Sequence, residues 1–170
     1  VYLSLDFETT GLDCRIGRVV EIGAIRFRID RDGLVEEASL ACLIDPGMPI
    51  PQQSRAIHGI SDQDVEGSPT FSEVAPALLA LASGAVIIAH NVRFDLSFLD
   101  AELARLGMKR PEAKAEDTVH LSRIAFPGRA SYRLGAIAAA LGIESGAQHR
   151  ALDDARTCML LYQACALQLA

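Results

Sequence analysis

The opening run VYLSLDFE alternates apolar and polar positions, with Val1, Leu3, Leu5 and Phe7 on one side and Tyr2, Ser4, Asp6 and Glu8 on the other. Period-two alternation specifies a β-strand and does not fit an amphipathic helix. The run ends in the turn TTGLD, so Asp6 and Glu8 leave the strand on one face. VVEIGAIRFRI (Val19 to Ile29), the turn RDG (Arg31 to Gly33) and LVEEASLACLI (Leu34 to Ile44) then predict a second and third strand in an antiparallel meander. A chain that begins this way must build a sheet and cover its apolar face.

The middle and end of the chain supply the cover. Pro46, Pro49 and Pro51 make the next stretch an extended loop, after which Thr70 and Glu73 form a capping box for a helix reaching about Ser83. GAVIIAHN (Gly84 to Asn91) is short and β-branched and reads as a buried strand. Phe94, Leu96, Phe98, Leu99, Leu103 and Leu106 then show helical spacing that Gly107 stops, which puts Asp95 in the first turn of that helix. A short strand near Ala115 to Asp117 precedes helices at about Val119 to Ala125, Arg133 to Leu141 with Ser131 as a cap, and Ala151 to Leu167. Strands followed by strand-helix alternation predict an α/β fold, a mixed sheet flanked by helices, as one domain over residues 1–170.

The chain has 170 residues, half of them hydrophobic, which is enough for a buried core and excludes intrinsic disorder. No apolar run approaches the roughly 20 residues that span a bilayer, so no membrane partner is expected. Cys14, Cys42, Cys158 and Cys165 form neither a CxxC pair nor a Cys/His cluster, which points to a reducing cytoplasm rather than a secreted disulfide framework. Val1 already opens a strand and is not Met, which leaves room for a missing N-terminus or neighbouring domain, and no signal-peptide pattern is visible.

The net charge of −6 argues against a wholesale cationic coat for nucleic acid. Between Arg105 and Arg133, however, seven basic residues (Arg105, Lys109, Arg110, Lys114, Arg123, Arg129, Arg133) face three acids (Glu112, Glu116, Asp117). Such a segment is either a solvated helical face or an edge turned toward phosphates.

Asp6 and Glu8 crowd their charges, and carboxylates that close raise each other's pKa unless a cation compensates, so the pair suggests a metal site. Asp95, in HNVRFD, has an ordinary explanation in the dipole at a helix start. His149 and Asp154, in HRALDD, stand five residues apart, about 140° on an ideal helix. They converge only if His149 lies in the loop before the helix, and the preceding run ESGAQ suits a loop.

The segments DFETTGL, AHNVRFD, Asp117-Thr118 and HRALDDA together resemble the DEDDh family of 3′→5′ exonucleases, of the proofreading epsilon type. The resemblance runs from Leu3 to about Tyr162 and includes HGI (His58 to Ile60) and FPG (Phe126 to Gly128). It implies a ribonuclease H-like fold with a five-stranded mixed sheet. It implies that Asp6, Glu8, Asp95 and Asp154 hold two divalent cations, Mg²⁺ or Mn²⁺, and that His149 is the general base. By the same resemblance the backbone at Thr9 and Thr10 holds the terminal 3′-hydroxyl and Leu12 is an apolar wedge at the last base. Phe94 and His58 pack on or contact the terminal nucleotide, and Asn91 is a further substrate-binding position.

The physical reading agrees: four carboxylates carry a formal charge that two divalent cations cancel, and hard oxygen ligands suit Mg²⁺ or Mn²⁺ better than Zn²⁺. The implied activity is two-metal phosphodiester hydrolysis at the 3′ end of DNA, releasing 5′-mononucleotides during replication proofreading or repair. The partners implied are a single-stranded or frayed 3′ end and a DNA polymerase, as a separate catalytic subunit or a fused domain. An RNA 3′ exonuclease or oligoribonuclease would use the same five residues and stays open. A non-catalytic nucleic-acid module normally shows a lost ligand, and here all five positions are filled. A metallophosphatase would normally show several His ligands, whereas only His149 lies near these motifs. Of the adjacent Asp153 and Asp154, the family spacing selects Asp154 and leaves Asp153 to pair with Arg156 at the surface.

Overall fold

A computed structural model describes residues 1–31 and 33–170. Strands β1 (Tyr2–Thr9), β2 (Val19–Asp30) and β3 (Gly33–Leu43) form the meander. Helices α1 (Gln52–His58), α2 (Asp62–Val65) and α3 (Phe71–Ala82) lead to β4 (Val86–Ala89) and α4 (Val92–Arg105). The chain closes with β5 (Ala115–Asp117), α5 (Thr118–Ala125), α6 (Leu134–Ala140) and α7 (Ala151–Leu169). The sheet has five strands in the order β3-β2-β1-β4-β5, antiparallel on the β2 and β3 side and parallel from β1 through β4 to β5. This is the expected mixed sheet. In the expected RDG turn, Asp30 and Gly33 pair across β2 and β3, and Asp32 lies outside the described residues.

The alternation in β1 decides what each face meets. Leu3, Leu5 and Phe7 pack with Ile22, Ala24 and Ile87 against α3 and α4, through Phe71, Leu78, Phe98 and Leu103. The opposite face belongs to α7, where Ile25, Phe27 and Ile88 meet Ala155, Met159 and Tyr162. Ser4, on that polar side of β1, donates from Oγ to the Ala155 carbonyl at 2.7 Å. Asp6 and Glu8 therefore point to the α7 side, beside Gly23 and Glu21, their register partners on β2. A register shift between Glu8 and Thr9 ends the regular pairing there, and such irregularities re-aim side chains.

Three expectations need correction. The stretch after Pro51 is not all extended: Pro51 stands at the N-cap of α1, Gly59 ends that helix at a φ of 74°, and Ser61 with Asp64 forms a capping box on α2. Proline favours loops but is tolerated at a helix start, so the proline cluster marks an entry to helix here. Ser131 does not cap α6. The N-cap is Arg133, and Ser131, two residues before that cap, accepts the Arg133 N–H at Oγ. Helix α4 begins at Val92, ahead of the Phe94 start suggested by the apolar spacing, and still holds Asp95 in its first turn.

Candidate active site

Strand β4 pairs with β1 only from Tyr2 to Ser4, so β1 runs on past its neighbour. Asp95 uses that overhang: its Oδ1 accepts the Phe7 N–H at 3.0 Å, where a ladder partner would otherwise stand. Asn91 makes the turn possible by adopting a left-handed φ of 77°, and its N–H donates to Asp117 Oδ1 at 3.2 Å. Asparagine is among the few non-glycine residues that adopt this conformation readily. Asp117 Oδ1 also accepts the Val119 N–H and so caps α5.

The start of α7 is fixed from β2. Glu21, buried beside Glu8, accepts from Arg150 Nη2 at 2.8 Å and Nε at 3.1 Å and from the Ala151 N–H at 3.0 Å. Gly23 admits the helix backbone itself: a Cβ there would lie 2.1 Å from the Ala151 carbonyl. Immediately before, His149 takes a φ of 60°, a strained value for a residue with a side chain. Its N–H donates to Asp154 Oδ2 at 2.9 Å, while Asp153 Oδ2 accepts from the Ala147 N–H at 3.0 Å. His149 is thus in the loop, as convergence requires, and Glu8, His149 and Asp154 each offer a ligand atom within 4.8 Å of the others. Asp153 does not pair with Arg156 as expected, because Arg156 reaches Glu36 of β3 at 3.1 Å.

Electrostatics ties the remaining two carboxylates to this trio. Burial pushes Asp6 well above the usual carboxylate range, and the charges of Asp95, Asp154, Glu8 and Glu21 add to it. Glu8 is pushed up to about 7 by burial and by Asp154 and Glu21, partly offset by Arg150. Asp95, 3% exposed, is pushed up to about 8, mainly by burial and against the favourable bond from Phe7. Burial also raises Asp154, against the hydrogen bond from His149. Carboxylates gathered this way lack countercharge, and a divalent cation would supply it. The four carboxylates offer hard oxygen donors, which fit Mg²⁺ or Mn²⁺, and His149 beside them is left free to handle a proton.

Beside Glu8 opens a cleft of about 640 Å³ lined by Thr9, Thr10, Leu12, His58 and Phe94 among others. The sequence points to all five of these. Leu12 is 85% exposed at its mouth, and Phe94 lines it while its ring packs, tilted, 5.0 Å from that of Phe98 in the core, so one side chain serves both cleft and packing. The turn after β1 is braced from within. Thr9 Oγ1 donates to the Gly11 carbonyl, Ser54 Oγ donates to the Thr10 carbonyl, and His58 bonds the Thr9 carbonyl at 3.2 Å. Since His58 Nδ1 accepts the Ile60 N–H, its proton is on Nε2 and is donated to Thr9. Burial lowers the His58 pKa and favours that neutral form. Sequence reasoning misses Ile16, Met48, Ser54 and Ile57, which also line the cleft. Ile57 is findable: it precedes His58 on α1, a helix announced by Pro51 and Gly59.

Residues 3–162 match the family described as Exonuclease. The DNA polymerase III subunit epsilon of Treponema pallidum is 38% identical over 95% of this chain and 74% of its own length. The 3′-5′ exonuclease DinG of Bacillus subtilis is 35% identical over 95% of this chain, which spans 17% of that relative. Among solved structures, exonuclease X in complex with 5′ overhanging duplex DNA superposes with a TM-score of 0.71, covering 99% of both chains at 23% identity. That likeness carries the fold, which is ribonuclease H-like as expected.

Proposed function

The chain belongs to the exonuclease family as a 3′→5′ exonuclease, and we propose that it removes 5′-mononucleotides from single-stranded or frayed 3′ ends of DNA in proofreading or repair. The observation that carries this reading is the convergence of Glu8, His149 and Asp154, with Glu8 also lining a cleft of about 640 Å³ that can take a nucleoside. Asp6, Glu8, Asp95 and Asp154 would hold two divalent cations, Mg²⁺ or Mn²⁺. Bound there, the cations would supply positive charge to the reacting phosphate and make a bound water more acidic.

The chain's own residues do the rest. The braced turn from Thr9 to Leu12, with His58 behind it and Phe94 opposite, seats the terminal nucleoside by apolar contact that tolerates any base. Asn91 contributes through the exposed β4 to α4 turn. His149 accepts the proton of the attacking water, a task for which imidazole is suited near neutrality. The water oxygen joins phosphorus, the P–O3′ bond breaks, and the departing 3′-oxygen is protonated from solvent. A polymerase, as a separate subunit or fused domain, is the proposed partner, in the cytoplasm. Among the described residues no helix is long and apolar enough to cross a membrane.

The test compares 5′-labelled single-stranded DNA, duplex with a mispaired 3′ end, and RNA, each with Mg²⁺ and with Mn²⁺. DNA shortened stepwise from the 3′ end, with mononucleotide release, is expected, and so is complete inhibition by EDTA. His149→Ala should slow turnover by roughly 10²-fold or more while Mn²⁺ affinity in calorimetry is retained. Hydrolysis persisting in excess chelator, or cutting of a circular strand, overturns the assignment, and collapse of Mn²⁺ affinity in His149→Ala would make that residue a ligand.

A further inference from the structure

If the terminal nucleoside fills the cleft beside Glu8, the remaining strand must leave the reaction centre by another route, and the fold offers one. A second cavity, about 470 Å³, is lined by His149, Asp154, Gln148, Gly135 and Arg133. It has no lining residue in common with the first. Arg133 also lines a third cavity, about 310 Å³, with His90, Val119, Arg123 and Tyr132. Arg133 borders both, so a cavity at His149 and a cavity at Arg123 lie side by side on one stretch of surface, here called the groove.

The groove is built rather than incidental. Gly135 leaves the space in which Gln148 lies: a Cβ there would come 2.3 Å from Gln148 Nε2. The Arg123 guanidinium sits 5.4 Å over the Tyr132 ring. Tyr132 is pinned in turn, its hydroxyl donating to the Phe126 carbonyl at 2.8 Å and its carbonyl bonded by His90 Nε2 at 2.8 Å. His90 Nδ1 bonds Thr118 Oγ1 at 2.9 Å, so the wall is tied to the end of β4, directly before the turn into α4 and Asp95. Among the described residues neither Arg123 nor Arg133 has a carboxylate partner. Other basic residues of the same sequence segment do: Arg105 pairs with Glu102 and Arg110 with Asp100. Within the basic segment, Arg123 and Arg133 border the cavities beside the site, whereas Arg105 and Arg110 are committed to carboxylates.

We infer that this groove binds the phosphates on the 5′ side of the scissile bond, with Arg133 nearer the reaction centre and Arg123 farther along the strand. The inference rests on the exonuclease reading and adds the path of the substrate. A dinucleoside monophosphate has no phosphate left to reach the groove, whereas an octanucleotide does, so the groove's contribution must depend on length.

The experiment uses the whole chain with the Arg123→Gln, Arg133→Gln double variant, and compares dTpdT with dT8 by chromatography of released mononucleotide. KM for dT8 should rise about tenfold or more while kcat and KM for dTpdT stay within about twofold. The slope of log affinity for dT8 against log salt should fall by about 1.4, two phosphate contacts on a single strand. Arg133→Lys alone should keep most of the dT8 affinity, and Arg110→Gln should leave the slope unchanged. Fluorescence anisotropy of labelled dT8 with Ca²⁺ reads the same slope without turnover, so an inactive chain would sink the exonuclease reading and still test the groove. Equal losses on dTpdT and dT8, or an unchanged salt slope in a folded double variant, would overturn the inference.

Discussion

Asp154 accepts the His149 N–H and Asp153, beside it on α7, accepts the Ala147 N–H, so adjacent carboxylates hold two points of one short loop. Neighbours on a helix project about 100° apart, and only Asp154 joins Glu8 and His149. Asp154→Asn removes a formal charge and should abolish turnover in a folded protein. Asp153→Asn keeps an acceptor for Ala147 and should cost about 1 kcal/mol of stability with activity largely retained. Thermal melts and single-turnover rates on the two variants check this, and an inactive Asp153→Asn beside an active Asp154→Asn would move the last motif by one residue. The choice of Asp154 is readable from motif spacing. The fate of Arg156 is not, because Glu36 lies on β3 and no helical periodicity reports a partner from another element. Likewise, Glu21 looks like one more strand residue in the sequence, yet it is buried and holds Arg150 and the first N–H of α7.

At the scale of elements, the site depends on how closely α7 approaches β2. The Gly23 contact involves the Ala151 carbonyl and the Leu152 nitrogen, backbone atoms that cannot rotate away. Gly23→Ala should therefore displace the start of α7, cost roughly 1–3 kcal/mol as an overpacked contact, and separate Asp154 and His149 from Glu8. The expected outcome is a folded protein with a lowered melting temperature whose loss of kcat exceeds its loss of DNA affinity; wild-type kcat would show that the approach does not set the geometry. The long elements are legible because each carries many turns or pleats of one period, as β1, β2, α4 and α7 do. Helices α1 and α2 are not, at 7 and 4 residues too short for a periodic signal and marked only by caps. The part of the cleft that α1 builds, including Ile57 and Ser54, is signalled in the sequence only through the caps Pro51 and Gly59 and by no periodicity.

For the molecule as a whole, burying several carboxylates at one site couples folding to both protons and metal. Glu8, pushed up from 4.5 to about 7, and Asp95, from 3.8 to about 8, bind protons in the folded state that the unfolded chain has released. Between those limits the unfolded chain holds fewer protons, so stability is full below the unfolded values and is lost as pH rises through 7 and 8. Asp13, Asp64 and Glu73 have lowered values, and their contribution is complete above the ordinary carboxylate range, below this window. His58 and His90, lowered by burial from 6.5, act in the opposite sense but only up to that value. From about pH 6.5 to 8 the carboxylates dominate the slope, and only above that do Cys158 and Cys165, raised by burial from 9.0, begin to add to it with the same sign. In EDTA the melting temperature should fall across this window. Millimolar Mn²⁺ should flatten the fall, since a cation favours the charged carboxylates, and its stabilising shift should be larger at pH 8 than at pH 6. Scanning fluorimetry with and without Mn²⁺ measures both slopes. A melting temperature that rises with pH in EDTA, or a Mn²⁺ shift equal at both ends, would mean that these carboxylates are not the groups that receive the metal.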